Sequence, residues 1–275
     1  MSDPVQVTRV RLAARAAVVL AGVGALALTV AGPATSSPGL PVATSTGAAT
    51  AQRFVDGGAH PVNLKAPWSR EVTRYGAHDL SPYKIAHVRE LQYRLKWVGL
   101  FKGTPTGYYG PVTRAAVRAF QTRWHMIVTG NANASTWKRL LQRTVRNPQG
   151  VPVVCKRAGW HACYDRKFHQ VTLWYNGSIR NAWLVRGGAY TMQTRLGTHL
   201  VYYRDIDHIS GQFGSPMPYS QFFDGGEALH GSRLMMDPFV DHSHGCINMY
   251  VEDARQLWNL TYNKRLWVTV YGAWS

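Results

Sequence analysis

Acidic side chains are scarce in this chain: 14 Asp+Glu face 31 Lys+Arg, leaving a formal charge of +17 over 275 residues. The deficit is local, because residues 81–150 hold twelve basic residues and one acidic residue. Such a stretch either attracts a polyanion, nucleic acid or an anionic wall polymer, or is no more than a solvated helix surface. Cysteine is scarcer still, at three residues. Cys155 and Cys163 are close enough in sequence to pair in an oxidising compartment, which leaves Cys246 over. A leftover thiol in an exported protein calls for a reason, and catalysis is one; burial as a small hydrophobe is the other. At 45% hydrophobic content, which can fill real cores, disorder is not the default except near the N-terminus.

Long apolar runs are also missing, apart from Ala16 to Val30. That run follows Arg9, Arg11 and Arg15 and precedes Ala31-Gly32-Pro33-Ala34, the order of a secretory signal. It is short for a full span and no cleavage site stands out, so residues 1–34 are either a cleaved signal or a membrane anchor. Both place the remainder outside the cytoplasm, secreted or anchored at the membrane. Export removes nucleic acid from the list of polyanions. Residues 35–80 are assigned to a linker, since Thr35 to Ala59 is rich in Ser, Thr, Pro, Gly and Ala without apolar periodicity.

From Ser81 the pattern becomes helical: Ile85, Val88, Leu91, Leu95 and Val98 recur at helical spacing, with Ser81 as cap, Pro82 in the first turn and Gly99 as the stop. A second helix fits Pro111 to Met126, with Val117, Phe120 and Trp124 on one stripe. A third follows Asn133, with Trp137, Leu140 and Leu141 inward. Three short helices with glycine turns at Gly107, Gly110 and Gly130 make a small bundle over residues 81–146. It offers neither paired carboxylates nor a nucleophile beside a base, so chemistry is not expected there.

The residues Leu91-Gln92, Leu95, Gly99, Gly107-Tyr108-Tyr109-Gly110, Thr113, Ala116-Val117, Phe120-Gln121, Thr129-Gly130, Thr136-Trp137 and Leu140 resemble the peptidoglycan-binding domain 1 family. The resemblance implies binding of wall glycan-peptide; most of these residues also have an architectural reading, as builders of the bundle.

After Asn147 to Pro152 the period switches to two. Val171, Leu173 and Tyr175 alternate with Thr172 and Trp174, Asn176-Gly177 is a hairpin turn, and Ile179 to Val185 is the return strand. Further strands fit Gly197 to Arg204 and Leu266 to Tyr271, and a helix fits Val251 to Leu260 with Glu252 and Asp253 in its first turn. The expected fold class is α+β: a three-helix bundle, then a mainly antiparallel β domain over residues 153–272 with a flanking helix.

Chemistry concentrates in Asp241-His242-Ser243-His244-Gly245-Cys246-Ile247-Asn248, with Leu229-His230-Gly231 upstream. An unperturbed thiol has a pKa of about 8.5 and is mostly protonated at neutral pH, and a nearby imidazole can take its proton. Gly245 allows a tight turn that presents Cys246 and backbone N–H groups to a carbonyl.

His230-Gly231 followed by Ser243-His244-Gly245-Cys246-Ile247-Asn248 resembles the L,D-transpeptidase catalytic domain family, the YkuD or ErfK/YbiS fold, supported by Thr194-Arg195-Leu196-Gly197-Thr198 and Met217-Pro218-Tyr219. The resemblance implies Cys246 as nucleophile and His230 as proton carrier, with Ser243, His244 and Gly245 completing the catalytic set and the Gly245 and Cys246 N–H groups as oxyanion donors. It further implies Asn248, Gly231 and Tyr219 against substrate, peptidoglycan stem peptides as partners, no metal or cofactor, and acylation by carbapenem-type inhibitors. Two departures stand out: Arg195 replaces the usual proline, and the interval from His230 to Ser243 is short. One rival reading takes His242-x-His244-x-Cys246 as zinc ligands of a peptidoglycan peptidase, although no carboxylate–histidine partner motif lies upstream. The other is a noncatalytic wall-binding protein.

Overall fold

A computed structural model describes residues 65–275; the expected signal or anchor, and the linker up to residue 64, lie outside the described residues. The helical module consists of α1 (Val88–Trp97), α2 (Pro111–Arg123) and α3 (Ala134–Arg143). Leu91, Leu95, Val117, Phe120, Trp137, Leu140 and Leu141 close its core. Asn133 caps α3 by accepting from the Thr136 N–H at 3.0 Å.

The start of α1 differs from expectation. Ser81 and Pro82 lie in a turn closed by the Lys84 N–H on the Ser81 carbonyl, not in the helix. The cap comes from further away: the Asp79 carboxylate accepts from the Ala86, Val88 and Arg89 N–H groups at 2.9, 3.2 and 2.8 Å. This satisfies donors that a first turn leaves open. Residues 65–80, grouped by composition with the linker, are also part of the packed unit. Trp68, Arg70, Glu71 and Thr73 are buried, the charged pair because each finds an opposite charge inside.

Two glutamines in the module act as internal staples. Gln92 accepts from the Thr106 and Gly107 N–H groups and donates to the Tyr108 carbonyl and Thr113. Gln121 repeats the arrangement with the Gly130 N–H, the Asn131 carbonyl and Thr136.

The β domain has two sheets. The first, in order β3-β2-β1-β9-β4, is built from β1 (Trp160–Asp165), β2 (Gln170–Tyr175), β3 (Ser178–Leu184), β4 (Gly197–Leu200) and β9 (Leu266–Tyr271). The second, in order β5-β6-β7-β8, comprises β5 (Tyr203–Ile209), β6 (Pro216–Asp224), β7 (Glu227–Gly231) and β8 (Ile247–Met249). Pairing is antiparallel except β1 with β9 and β7 with β8. The expected single strand from Gly197 to Arg204 is divided: β4 ends at Leu200 and β5 begins at Tyr203 in the other sheet.

Asn176 and Gly177, both left-handed at φ 47° and 76°, make the β2–β3 turn. Between the sheets lie Val171, Leu173, Leu229, Ile247, Met249, Val268 and Val270, with α4 (Val251–Thr261) adding Ala254 and Leu257. The helical module packs on β3: Ala182 joins the module's core, and its carbonyl accepts from Arg70 and Arg94 at 3.2 and 3.0 Å. A strand covered on both sides has no polar face, which is why β2 and the second half of β3 are buried at nearly every position. Cys155 and Cys163 form a disulfide that ties the 153–156 turn to β1.

Candidate active site

Parallel register sets Leu229, His230 and Gly231 of β7 opposite Ile247, Asn248 and Met249 of β8. Leu229 and Ile247 point into the core. Their neighbours point the other way: Ala228 and Cys246 cluster with Met217 and Phe222. His230, two residues on from Ala228, shares that face, and Asn248 stands across from it. Cys246 and His230 thus occupy diagonal positions on one face, with backbones roughly 8 Å apart from strand spacing and rise. The Cys246 Sγ itself reaches the Gly226 carbonyl at 3.9 Å.

Ser243 fixes the chain entering Cys246. Its hydroxyl donates to the Cys246 carbonyl at 2.6 Å and accepts from the Gly245 N–H at 3.1 Å, closing a tight loop. Backbone bonds from the Ser243 N–H to the Gly187 carbonyl, and from the Ala189 N–H to the Ser243 carbonyl, anchor this loop to the segment after β3. Gly245 sits at φ 125°, where a side chain is strained, and a Cβ there would come within 3.1 Å of Glu227. Of the two N–H groups expected as oxyanion donors, that of Gly245 is already taken by Ser243.

His230 is buried, and its Nδ1 bonds the Gly231 carbonyl at 2.8 Å. A carbonyl only accepts, so the proton sits on Nδ1 and Nε2 carries the lone pair. Burial pushes this imidazole down to about 4, helped by the charges of His208 and Arg186 and opposed by the Gly231 carbonyl and Asn248. Burial pushes the Cys246 thiol up; the Ala228 N–H opposes this, Glu227 adds to it and Arg195 counters. At rest the site therefore holds a neutral thiol and a neutral base.

Glu227 and Arg195 were not singled out as site residues from sequence. Arg195 stands where the family pattern has proline; its N–H and guanidinium reach the Glu227 carboxylate at 3.1 and 3.3 Å, and its Nε holds Asp224 at 2.7 Å. Burial raises Glu227 to about 7 even against this arginine. A carboxyl that titrates near neutrality thus stands beside the loop that carries Cys246. The departure at Arg195 was the only signal for it.

The remaining expected residues fall in different places. His244 is exposed and stacks on Phe213 of the β5–β6 loop at 4.4 Å. Gly231 serves through its carbonyl, and a Cβ there would meet the Val251 backbone at 3.0 Å. Tyr219 lies in the core with Leu229 and Ile247 and packs edge-on against Trp258. Its left-handed backbone, φ 59°, breaks the alternation that Met217 would have extended to it. His242, His244 and Cys246 do not converge either: His242 packs by His169 and Trp274, His244 on Phe213, and Cys246 by Ala228. The short interval from His230 to Ser243 is braced by the module, with Asp237 accepting from Arg89 at 3.2 Å and from Tyr93 at 3.0 Å.

Residues 86–140 match the peptidoglycan binding domain family PG_binding_1, and residues 160–270 match the L,D-transpeptidase catalytic domain family YkuD. No curated protein matches the chain. Among solved structures, the L,D-transpeptidase (Yku) from Stackebrandtia nassauensis is similar at 21% identity and a TM-score of 0.46, over 73% of this chain and 95% of that one. The L,D-transpeptidase (residues 123–326) from Xylanimonas cellulosilytica DSM 15894 is similar at 23% identity and a TM-score of 0.41, over 72% and 96%. By the two family matches, residues 160–270 are an L,D-transpeptidase catalytic domain, which makes the chain an enzyme, and residues 86–140 are a peptidoglycan-binding domain.

Proposed function

We propose that the chain forms 3-3 cross-links in peptidoglycan through a thioester on Cys246, outside the cytoplasm. What supports this reading most is the placement, on one sheet face and with backbones roughly 8 Å apart, of a half-buried thiol and an imidazole whose tautomer is fixed. His230 Nε2 takes the Cys246 proton as sulfur attacks the carbonyl of the third residue in a tetrapeptide stem. The carbon–nitrogen bond to the terminal D-alanine breaks, and the leaving amine takes the proton from His230. An amine of a neighbouring stem then attacks the thioester, passing its proton to His230, and sulfur departs and is reprotonated. The Cys246 N–H faces the developing oxyanion, and Ser243 keeps the loop in place. The Cys155–Cys163 disulfide supports an oxidising compartment, and the basic helical module suits an anionic wall polymer as well as stem peptides.

The test is product analysis. Purified protein incubated with disaccharide-tetrapeptide yields a 3-3 linked dimer and one released D-alanine per link, read by mass spectrometry, and Cys246→Ala yields neither. Turnover retained by Cys246→Ala would overturn the assignment, while D-alanine release without dimer would make the enzyme a trimming hydrolase.

A further inference from the structure

Where the helical module meets α4, a group of charges is closed off from solvent. Arg70, Arg94, His87, Glu71, Glu90 and Asp253 all have side chains no more than 2% exposed, and Glu252 is 4% exposed. Glu90 is fully used, bonding Arg70 at 3.0 Å and Arg94 at 2.8 Å. His87 lies between the domains, with Nδ1 at 2.6 Å from Glu71 and Nε2 at 3.2 Å from Asp253.

Two features of this group stay unbalanced. Two guanidinium groups face four carboxylates, a deficit of two positive charges. In addition, both oxygens of Glu252, Glu71 Oε2 and Asp253 Oδ2 are buried without a hydrogen-bond partner. Buried carboxylate oxygens in that condition carry a large desolvation cost unless something positive reaches them. Glu71, His87 and Glu252 each present a ligand atom, all within 4.8 Å of one another.

We infer that Glu71, His87 and Glu252 form a structural site for a divalent transition-metal cation, of zinc type, that fastens the binding module to the catalytic domain. The ion takes the place of the proton between His87 Nδ1 and Glu71, and reaches the unpartnered Glu252 carboxylate. His87 keeps its Nε2–H on Asp253, the outer-shell carboxylate that fixes a metal-bound imidazole. One imidazole with carboxylates favours zinc over magnesium or calcium, which prefer all-oxygen shells. One divalent ion also cancels the deficit, where otherwise His87 and Glu252 must both hold protons. The three ligands come from the segment before α1, the residue preceding α1, and the first turn of α4, so the ion joins parts far apart in sequence. This site is separate from Cys246 and does not depend on the reaction proposed above.

The test uses the full chain stripped of metal and titrated with zinc alone. Binding of one equivalent is expected, with a melting temperature raised by about 5–10 °C at a hundredfold excess over Kd. Glu252→Gln and Glu71→Gln should each weaken that binding at least tenfold. X-ray absorption at the zinc edge of the wild-type complex should read nitrogen and oxygen donors only, and this readout does not rely on a variant folding. Sulfur in the shell, undiminished binding by both variants, or no binding by wild type would overturn the site. In the last case the protons on His87 and Glu252 are the counter-charge.

Discussion

Removing one hydroxyl tests whether the nucleophile loop is held as described. Ser243 is 8% exposed, and its Oγ makes two hydrogen bonds, to the Cys246 carbonyl at 2.6 Å and from the Gly245 N–H at 3.1 Å. A net hydrogen bond is worth about 1 kcal/mol, and a buried group stranded by truncation costs about 1–3 kcal/mol. Ser243→Ala leaves both backbone groups without their partner, so a loss of roughly 2–4 kcal/mol follows, partly relieved by water at the half-buried Cys246. For a unit of this size, that lowers the melting temperature by about 5–10 °C. The backbone bonds of residue 243 to Gly187 and Ala189 persist, so the loop stays attached while its tip loosens. Misplacing the sulfur by about 1 Å costs up to roughly a hundredfold in rate. The assay is the second-order rate of carbapenem acylation, followed by intact mass, alongside a thermal melt. A Ser243→Ala protein that acylates within twofold of wild type and melts at the same temperature would refute this account of the loop.

Gly245→Ala forces a side chain into φ 125° against Glu227, and acylation should fall at least tenfold. The acylation rate should show an acid limb set by His230: its folded pKa is about 4, so the base form is present above that value and is lost as pH falls through it. Glu227 is neutral below about 7 and negative above, where it opposes thiolate formation. Glu227→Gln should therefore match wild type near pH 5.5 and exceed it several-fold above pH 7.5; equal rates across the range would remove Glu227 from the electrostatics of the thiol. The Cys155–Cys163 disulfide closes a short loop on the other sheet, away from Cys246. Replacing both by serine should cost roughly 2–3 kcal/mol in a melt and leave the acylation rate unchanged.

Local chemistry made parts of this fold readable from sequence. Asn176-Gly177 specifies its own turn, and Asn133 specifies the start of α3, because each acts on residues next to it. The start of α1 was not readable, since its cap is Asp79, which reaches across from a segment that composition groups with the linker. Arg70 and Glu71 look solvated in sequence and become buried only when Glu90, His87 and Asp253 arrive from elsewhere. At the site, Cys246 and Ser243 announce themselves in one short motif, and the loop bonds follow from their spacing. Glu227 does not, because its approach to Gly245 depends on the β7–β8 pairing and on an arginine from the segment before β4. That Tyr219 faces the core was not legible either, because one left-handed residue reverses which face a strand position occupies.

The central claim is that Cys246 is the acyl-accepting atom. Intact mass spectrometry after incubation with a carbapenem tests it most directly: one equivalent should add to wild type, map to the peptide carrying Cys246, and be absent from Cys246→Ala, with His230→Ala slowed by orders of magnitude. An unmodified wild-type mass, or an adduct that survives in Cys246→Ala, would contradict it.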